Sequence, residues 1–271
     1  MTDVASDQYV VTIARHGTRQ TTRSDVFLNY SLYGEADGPI GMDYFVWIIR
    51  NSERTIVVDT GYSRRGAESR GRDVLIEVPD LFAKLGVDPA SAPLVVISHA
   101  HYDHIGNLGH FPSSRFLISK KEFDFWNGPH AGKTLFHHSV EDSELDELRA
   151  LHAAGRVDFF EDSVQVAPGV EAIEVGGHTP GQTVVVVNTS EGRVLLASDA
   201  VHYYEELDAD RPFVSVADVV EMYDAFERTR QLVDSGEIAH VVSGHDPATL
   251  ERFTPAQGGL AGIAATIGVS G

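Results

Sequence analysis

Within the six positions from His99 to His104 the chain places three imidazoles and a carboxylate, at His99, His101, Asp103 and His104. They follow directly on the apolar run Leu94 to Ile97, which reads as a buried strand. Imidazole nitrogens and carboxylate oxygens are donors that suit zinc and also accept iron, manganese or cobalt. Along a chain leaving an extended strand, side chains two apart point the same way, so His99 and His101 would face one point. Gly106, Asn107 and Gly109 suit a tight turn into a helix, whose start would aim Asp103 and His104 at a second point beside the first. One short segment would thus address two metal ions. A polar loop with histidines there by chance would not be expected to deliver them in this order straight after a strand.

Three more residues of ligand type stand at the ends of β-type apolar runs. Val170 to Val175 leads into Gly176-Gly177-His178-Thr179-Pro180-Gly181, Val194 to Ala197 into Ser198-Asp199-Ala200, and His240 to Ser243 into Gly244-His245-Asp246-Pro247. Taken singly, each is as readily a turn or capping residue. Jointly they repeat one pattern of strand followed by ligand. Asp59-Thr60-Gly61, which closes the run Thr55 to Val58, is a turn or a support for such a site.

The elements that must position these residues are legible as alternating runs. Tyr9 to Ala14, Met42 to Ile49, Thr55 to Val58, Arg115 to Ser119 and Thr183 to Asn188 read as further strands. Helices are expected at Pro79 to Gly86, from Lys120, at Glu141 to Ala154 with Leu145, Leu148 and Leu151 on one face, and at Val216 to Val233 with Val219, Tyr223, Phe226 and Leu232 as its core stripe. Arg64 to Arg72 reads as a polar loop, residues 126 to 140 as an irregular segment suited to a lid, and the tail from Gly258 carries no clear signal. His130, His137, His138 and His152 read as surface or packing residues.

One stretch points elsewhere. Arg15-His16-Gly17-Thr18-Arg19 matches the Arg-His-Gly-x-Arg of histidine phosphatases, whose histidine becomes phosphorylated, and His245-Asp246 would supply a downstream pair. Against that reading, Thr21 stands where many of that family carry proline, and the 99–104 cluster would be left without a purpose.

The chain of 271 residues carries 21 Lys+Arg against 40 Asp+Glu, a formal net charge of -19, which works against polyanion binding and so against nucleic acid as a partner. A neutral or weakly charged small molecule is the expected substrate. With no cysteine, disulfides and thiolate ligation are excluded. Met1 to Gln8 has neither the basic region nor the apolar run of a signal peptide, and no stretch approaches membrane-spanning length, so a soluble, cytoplasmic protein is expected. Nothing resembles a linker, and residues 1–271 are expected to form one domain.

The order His-x-His-x-Asp-His, then His178, Asp199 and His245, together with Asp59-Thr60-Gly61, the Gly-His-Thr-Pro-Gly loop and Ser243-Gly244-His245-Asp246, resembles the metallo-β-lactamase superfamily, and most closely its N-acyl homoserine lactonase branch. The resemblance implies an α/β fold, a four-layer αβ/βα sandwich with metals at the sheet edge. It implies that His99, His101 and His178 hold one divalent cation, that Asp103, His104 and His245 hold a second, and that Asp199 bridges them, with zinc as the metal. Two cations about 3.5 to 4 Å apart can share a water and lower its pKa to near 7, so a bridging hydroxide would open a lactone ring, quorum-signal lactones being one class, while Asp103 donates the proton to the leaving alkoxide. Lactonases of this kind place a tyrosine three residues after the bridging aspartate, where this chain has His202, followed by Tyr203 and Tyr204. Tyr203 or His202 is therefore expected to contact the substrate. Alternatives within the superfamily are glyoxalase II-like thioester hydrolysis or another ester or amide; outside catalysis, a metal-binding domain without turnover. Specificity is expected in residues 62 to 75, 126 to 140 and 202 to 215, and a dimer is compatible with the sequence.

Overall fold

The computed structural model describes residues 7–269; most of the Met1 to Gln8 stretch lies outside them. The architecture follows from apolar runs too continuous for a sheet with one wet face. In β2 (Pro39–Arg50) every residue from Met42 to Ile49 is buried. Val46 and Ile48 pack into a core beneath helices, while Phe45, Trp47 and Ile49 pack into a second core against another sheet. This strand alone reports the four layers of the αβ/βα sandwich.

The strands are β1 (Val10–Thr22), β2, β3 (Thr55–Val58), β4 (Asp73–Val74), β5 (Leu94–Val96), β6 (Phe116–Ser119), β7 (Val157–Phe160), β8 (Ser163–Ala167), β9 (Val170–Glu174), β10 (Thr183–Thr189), β11 (Gly192–Ser198), β12 (His240–Ser243), β13 (Thr254–Pro255) and β14 (Ala264–Ile267). One sheet runs β13-β14-β1-β2-β3-β5-β6-β7, with β4 pairing β1, and the other runs β12-β11-β10-β9-β8. β3, β5, β6 and β7 are parallel, as are β11 and β12; the remaining pairs are antiparallel. The helices are α1 (Arg23–Val26), α2 (Arg64–Ser69), α3 (Val78–Lys84), α4 (Lys120–Trp126), α5 (Thr134–His137), α6 (Asp142–Ala153), α7 (Tyr204–Ala209) and α8 (Val219–Asp234). Leu81 and Phe82 of α3, Phe123 and Trp126 of α4, and Leu145, Leu148 and Leu151 of α6 cover the first sheet. Met222 and Phe226 of α8 cover the second against Ala197.

Several expectations change. β1 continues through Arg15 to Arg19 as far as Thr22, with a bulge between Arg15 and Gly17. Arg64 to Arg72 folds into α2 and a turn leading to β4, and the tail contributes β14 between β13 and β1. The turn after His104 leads only to a 3-10 turn at Leu108–His110, not an α-helix. The buried face of α8 is Met222, Ala225, Phe226 and Thr229; Val219 and Tyr223 are 37% and 38% exposed, so of the expected stripe Phe226 is core, Leu232 is partly buried against a core cluster, and the rest is offset around the helix. No helix among the described residues is long and apolar enough to cross a membrane.

Candidate metal centre

The C-terminal ends of β3, β5, β11 and β12, with the loop after β9, bring Asp59, the 99–104 segment, Asp199, His245 and His178 to one edge of the sandwich. All are buried. The donor atoms of His99, His101 and His178 lie within 4.8 Å of one another, as do those of Asp103, His104 and His245, of His99, His104 and Asp199, and of His178, Asp199 and His202. Asp199 is the shared member. Its Oδ1 is 3.3 Å from His104 Nε2 and its Oδ2 is 3.3 Å from His178 Nε2, 3.2 Å from His202 Nε2 and 3.7 Å from His99 Nε2, while His245 Nε2 lies 3.1 Å from Oδ1 and 3.2 Å from Oδ2. Asp103 lies 3.8 Å from His245 Nε2 and 3.9 Å from His104 Nε2.

Two observations show that this cluster fits divalent cations. His99 Nε2, His104 Nε2, His202 Nε2 and Asp199 Oδ1 are buried with no hydrogen-bond partner among the described residues, a costly arrangement unless something else satisfies them. Burial, followed by repulsion from neighbouring imidazoles, holds His99 and His101 well below the usual histidine range, and burial brings His178 down to about 3. Their lone pairs are therefore available at neutral pH, as ligation requires. Burial also opposes charge on His104, yet Asp199, Asp59 and Asp103 outweigh it and push that imidazole well above its ordinary range. The carboxylates create a demand for positive charge at that point, which a cation would meet.

A model of the metallo-β-lactamase superfamily matches residues 41–245, a span that contains every residue of the cluster. The chain belongs to this superfamily. It is 24% identical over 222 residues to an N-acyl homoserine lactonase of Bacillus sp, an alignment covering 76% of this chain and 82% of that protein. It is 29% identical over 177 residues to the N-acyl homoserine lactonase AttM of Azorhizobium caulinodans, covering 64% of this chain and 65% of the relative. Among solved structures it is similar to AidC, described as a dizinc quorum-quenching lactonase, with a TM-score of 0.71 and 20% identity over 98% of this chain and 99% of that one. The protein is thus a lactonase-like member of a hydrolase superfamily.

Within this superfamily member, outer carboxylates fix the donors. Asp59, at φ 62, turns its chain so that Oδ1 accepts from Ser98 N at 2.8 Å and Oδ2 from Ser98 Oγ and His104 Nδ1, both at 2.7 Å; this is the supporting role that its place at a strand end had left open. His178 Nδ1 donates to Ser215 O and His245 Nδ1 to Asp43 O, each at 2.7 Å. Two carboxylates were invisible in the sequence. Glu122, buried in α4, accepts from Ala100 N at 2.9 Å, Trp126 Nε1 at 2.7 Å and Gly181 N at 3.0 Å, clamping the His99–His101 turn to the His178 loop. Glu206, buried in α7, accepts from His202 N, from Tyr203 N at 3.1 Å and from Phe213 N at 2.7 Å. An i,i+4 Glu-Trp pair or an i,i+4 His-Glu pair is ordinary in any helix or turn, so neither carried a signal.

A cavity of ≈ 270 Å³ opens beside the cluster, lined among others by Asp103, His101, His245, Tyr44 and Tyr102. Tyr203 faces elsewhere: it is buried, packs against Phe27, and donates its phenol to Gly41 O at 3.0 Å. His202 is buried with the cluster and stacks on Phe213 at 3.9 Å. His138 lines the cavity, while His137 and its partner Asp142 are largely exposed. The phosphatase-like stretch is part of β1. Arg15 is tied to Asp43 at 2.8 Å and to Gly262 O at 2.9 Å, and His16 is fully buried edge-on to Tyr62. That histidine has no open approach for a phosphoester.

Proposed function

We propose that the protein is a dinuclear metal hydrolase that opens lactone rings. The observation that carries this reading is the central place of Asp199, with one oxygen toward His104, the other toward His99, His178 and His202, and His245 within 3.2 Å of both. His99, His101 and His178 would hold one cation and Asp103, His104 and His245 the other, with Asp199 between them. All-nitrogen-and-oxygen ligation suits zinc. When bound, a pair of divalent cations supplies Lewis acidity for the ester carbonyl and acidifies water to near neutral pKa. The relatives' names, N-acyl homoserine lactonase, make such lactones the first substrates to test.

The chain's own groups complete the site. Asp103 lines the cavity and is placed to hand a proton to the alkoxide released when the ring opens. Burial raises the Tyr44 phenol to about 12 and pushes Tyr102 well above its ordinary range, so both remain donors. Among the described residues Tyr44 Oη has only Met42 Sδ, at 3.7 Å, as an acceptor for its own proton, while it accepts from the Tyr102 phenol at 3.5 Å. It is therefore the phenol available to the substrate carbonyl, a role that falls outside the residues after Asp199. Metal-loaded protein should open a panel of lactones, and Asp103→Asn should lose at least about 100-fold in rate while metal analysis shows its cations retained. An intact rate in chelator-stripped protein would overturn the proposal.

A further inference from the structure

The pairing of β4 with β1 matches Gly17 with Val74 and Thr18 with Asp73. Arg19 and Arg72 are the next residues along the two segments, where the ladder ends. Both arginines line the cavity beside the metal cluster. In a chain with 40 acidic residues, several arginines are matched, Arg15 with Asp43, Arg70 with Glu141 and Arg211 with Glu35, while Arg50 and Arg156 are held by backbone carbonyls and Arg252 lies over the Tyr204 ring. Arg19 and Arg72 form no ion pair among the described residues. Arg72 gives Nε to the Tyr102 phenol at 3.0 Å and one terminal nitrogen to Arg70 O at 2.7 Å, and Arg19 Nε is buried without a partner.

Asp59, Asp103 and Asp199 stand with the metal cluster and Asp25 also lines the cavity, but none of them forms an ion pair with either guanidinium among the described residues. An anion from outside the protein would supply that partner. We propose that Arg19 and Arg72 form an anion subsite, so that the substrate is a lactone or related cyclic ester bearing a carboxylate. The inference rests on the hydrolase reading of the same cavity and sets its substrate class. Guanidinium and carboxylate match in a planar, charge-assisted pair, and the ≈ 270 Å³ cavity suits one small ring and its acid group. The net charge of -19 led to an expectation of neutral or weakly charged substrates, and a ring with a single carboxylate stays within it, since selection acts at these two side chains and not at the surface as a whole.

The test compares a five-membered lactone bearing a ring carboxylate with the same ring as its methylamide. Metal-loaded wild type should show kcat/KM for the acid at least about tenfold above that for the amide. In Arg19→Met and Arg72→Met the preference should fall about tenfold each, with amide hydrolysis within about threefold of wild type. Calorimetric binding of the ring-opened hydroxy-dicarboxylate should weaken in parallel. Arg19→Met gives up no side-chain hydrogen bond among the described residues and should be as stable as wild type without ligand, whereas Arg72→Met loses the bonds to Tyr102 and Arg70 O; denaturant unfolding of each variant separates a folding defect, and Arg19→Met carries the test if Arg72→Met is destabilised. Equal or better turnover of the amide by wild type, or an unchanged preference in the double variant, overturns the subsite. If neither ring is opened, the hydrolase reading is what fails; the subsite then stands or falls on calorimetry, where equal dicarboxylate affinity in wild type and double variant overturns it.

Discussion

Glu122 is the most exacting test of how the centre is held together. Its two carboxylate oxygens accept three N–H donors: Ala100 N and Trp126 Nε1 share Oε1, and Gly181 N takes Oε2. Ala100 separates His99 from His101, and Gly181 ends the loop carrying His178, so one side chain fixes three of the proposed ligands. Glu122→Ala would strand three buried donors at about 1–3 kcal/mol each, a loss comparable to the whole stability of a domain, and is uninformative. Glu122→Gln is nearly isosteric. Its amide oxygen can keep Ala100 N and Trp126 Nε1, while its NH₂ meets Gly181 N donor to donor, for a cost of about 1.5–3 kcal/mol. The strain falls on the His178 loop. Moreover, Gly181 cannot retreat easily, because a Cβ there would already lie 2.3 Å from Glu122 N. Loss of an outer-shell partner should weaken metal binding about 10- to 100-fold. Competitive chelator titration would measure the affinity, and denaturant unfolding of metal-free protein the stability. A variant destabilised by that amount but with wild-type affinity for both cations would refute the clamp.

Glu144 predicts a pH dependence of stability. Burial, helped by Glu141 and opposed by the Ser63 hydroxyl, raises its carboxyl to about 7. A raised acid binds its proton more tightly in the folded state, so its contribution is undiminished below the unfolded value and is lost as pH climbs through about 7. Glu144→Gln can keep the 2.7 Å bond from Ser63 Oγ and should gain on wild type by about 2–3 kcal/mol between pH 5 and 8.5. Parallel unfolding curves at the two pH values would remove the explanation. Tyr203→Phe should leave lactone turnover within about threefold of wild type and cost about 1 kcal/mol for the lost bond to Gly41 O; a large drop in kcat would return Tyr203 to the substrate.

Strand-end ligands were legible because each follows an apolar run that buries itself on both faces, and such a run can present its next polar residue only at the sheet edge. Residues 99–104 add the ligand types in order. Harder to see were groups whose role depends on two distant segments meeting. Glu122 looks like any helical glutamate until Ala100 and Gly181 arrive at its carboxylate. Tyr203 sits one residue from the expected tyrosine position, and a shift of one residue in a loop decides whether a phenol meets the substrate or the Gly41 carbonyl. The offset stripe in α8 depends likewise on a distant segment: Val219 and Tyr223 are apolar enough to read as core, but it is the Met222 side of the helix that meets the Gly177 backbone, where a Cβ at Gly177 would fall 2.8 Å from Met222 N.

The pentapeptide Arg15 to Arg19 matches a phosphatase motif that assigns the chemistry to His16, and the fold gives that histidine no such role. In the fold, Gly17 is required because the Tyr62 hydroxyl occupies the place of its side chain, 1.4 Å from where a Cβ would stand. That packing buries His16 under the tyrosines and sends Arg15 to Asp43, leaving Arg19 alone to reach the cavity. The second cavity-lining arginine of the proposed subsite, Arg72, comes not from the motif but from the residue before β4. If the carboxylate-bearing ring proves to be the better substrate, the feature that selects it is a pair of arginines brought to one cavity by β1 and by the turn before a two-residue strand that sequence reading treats as loop.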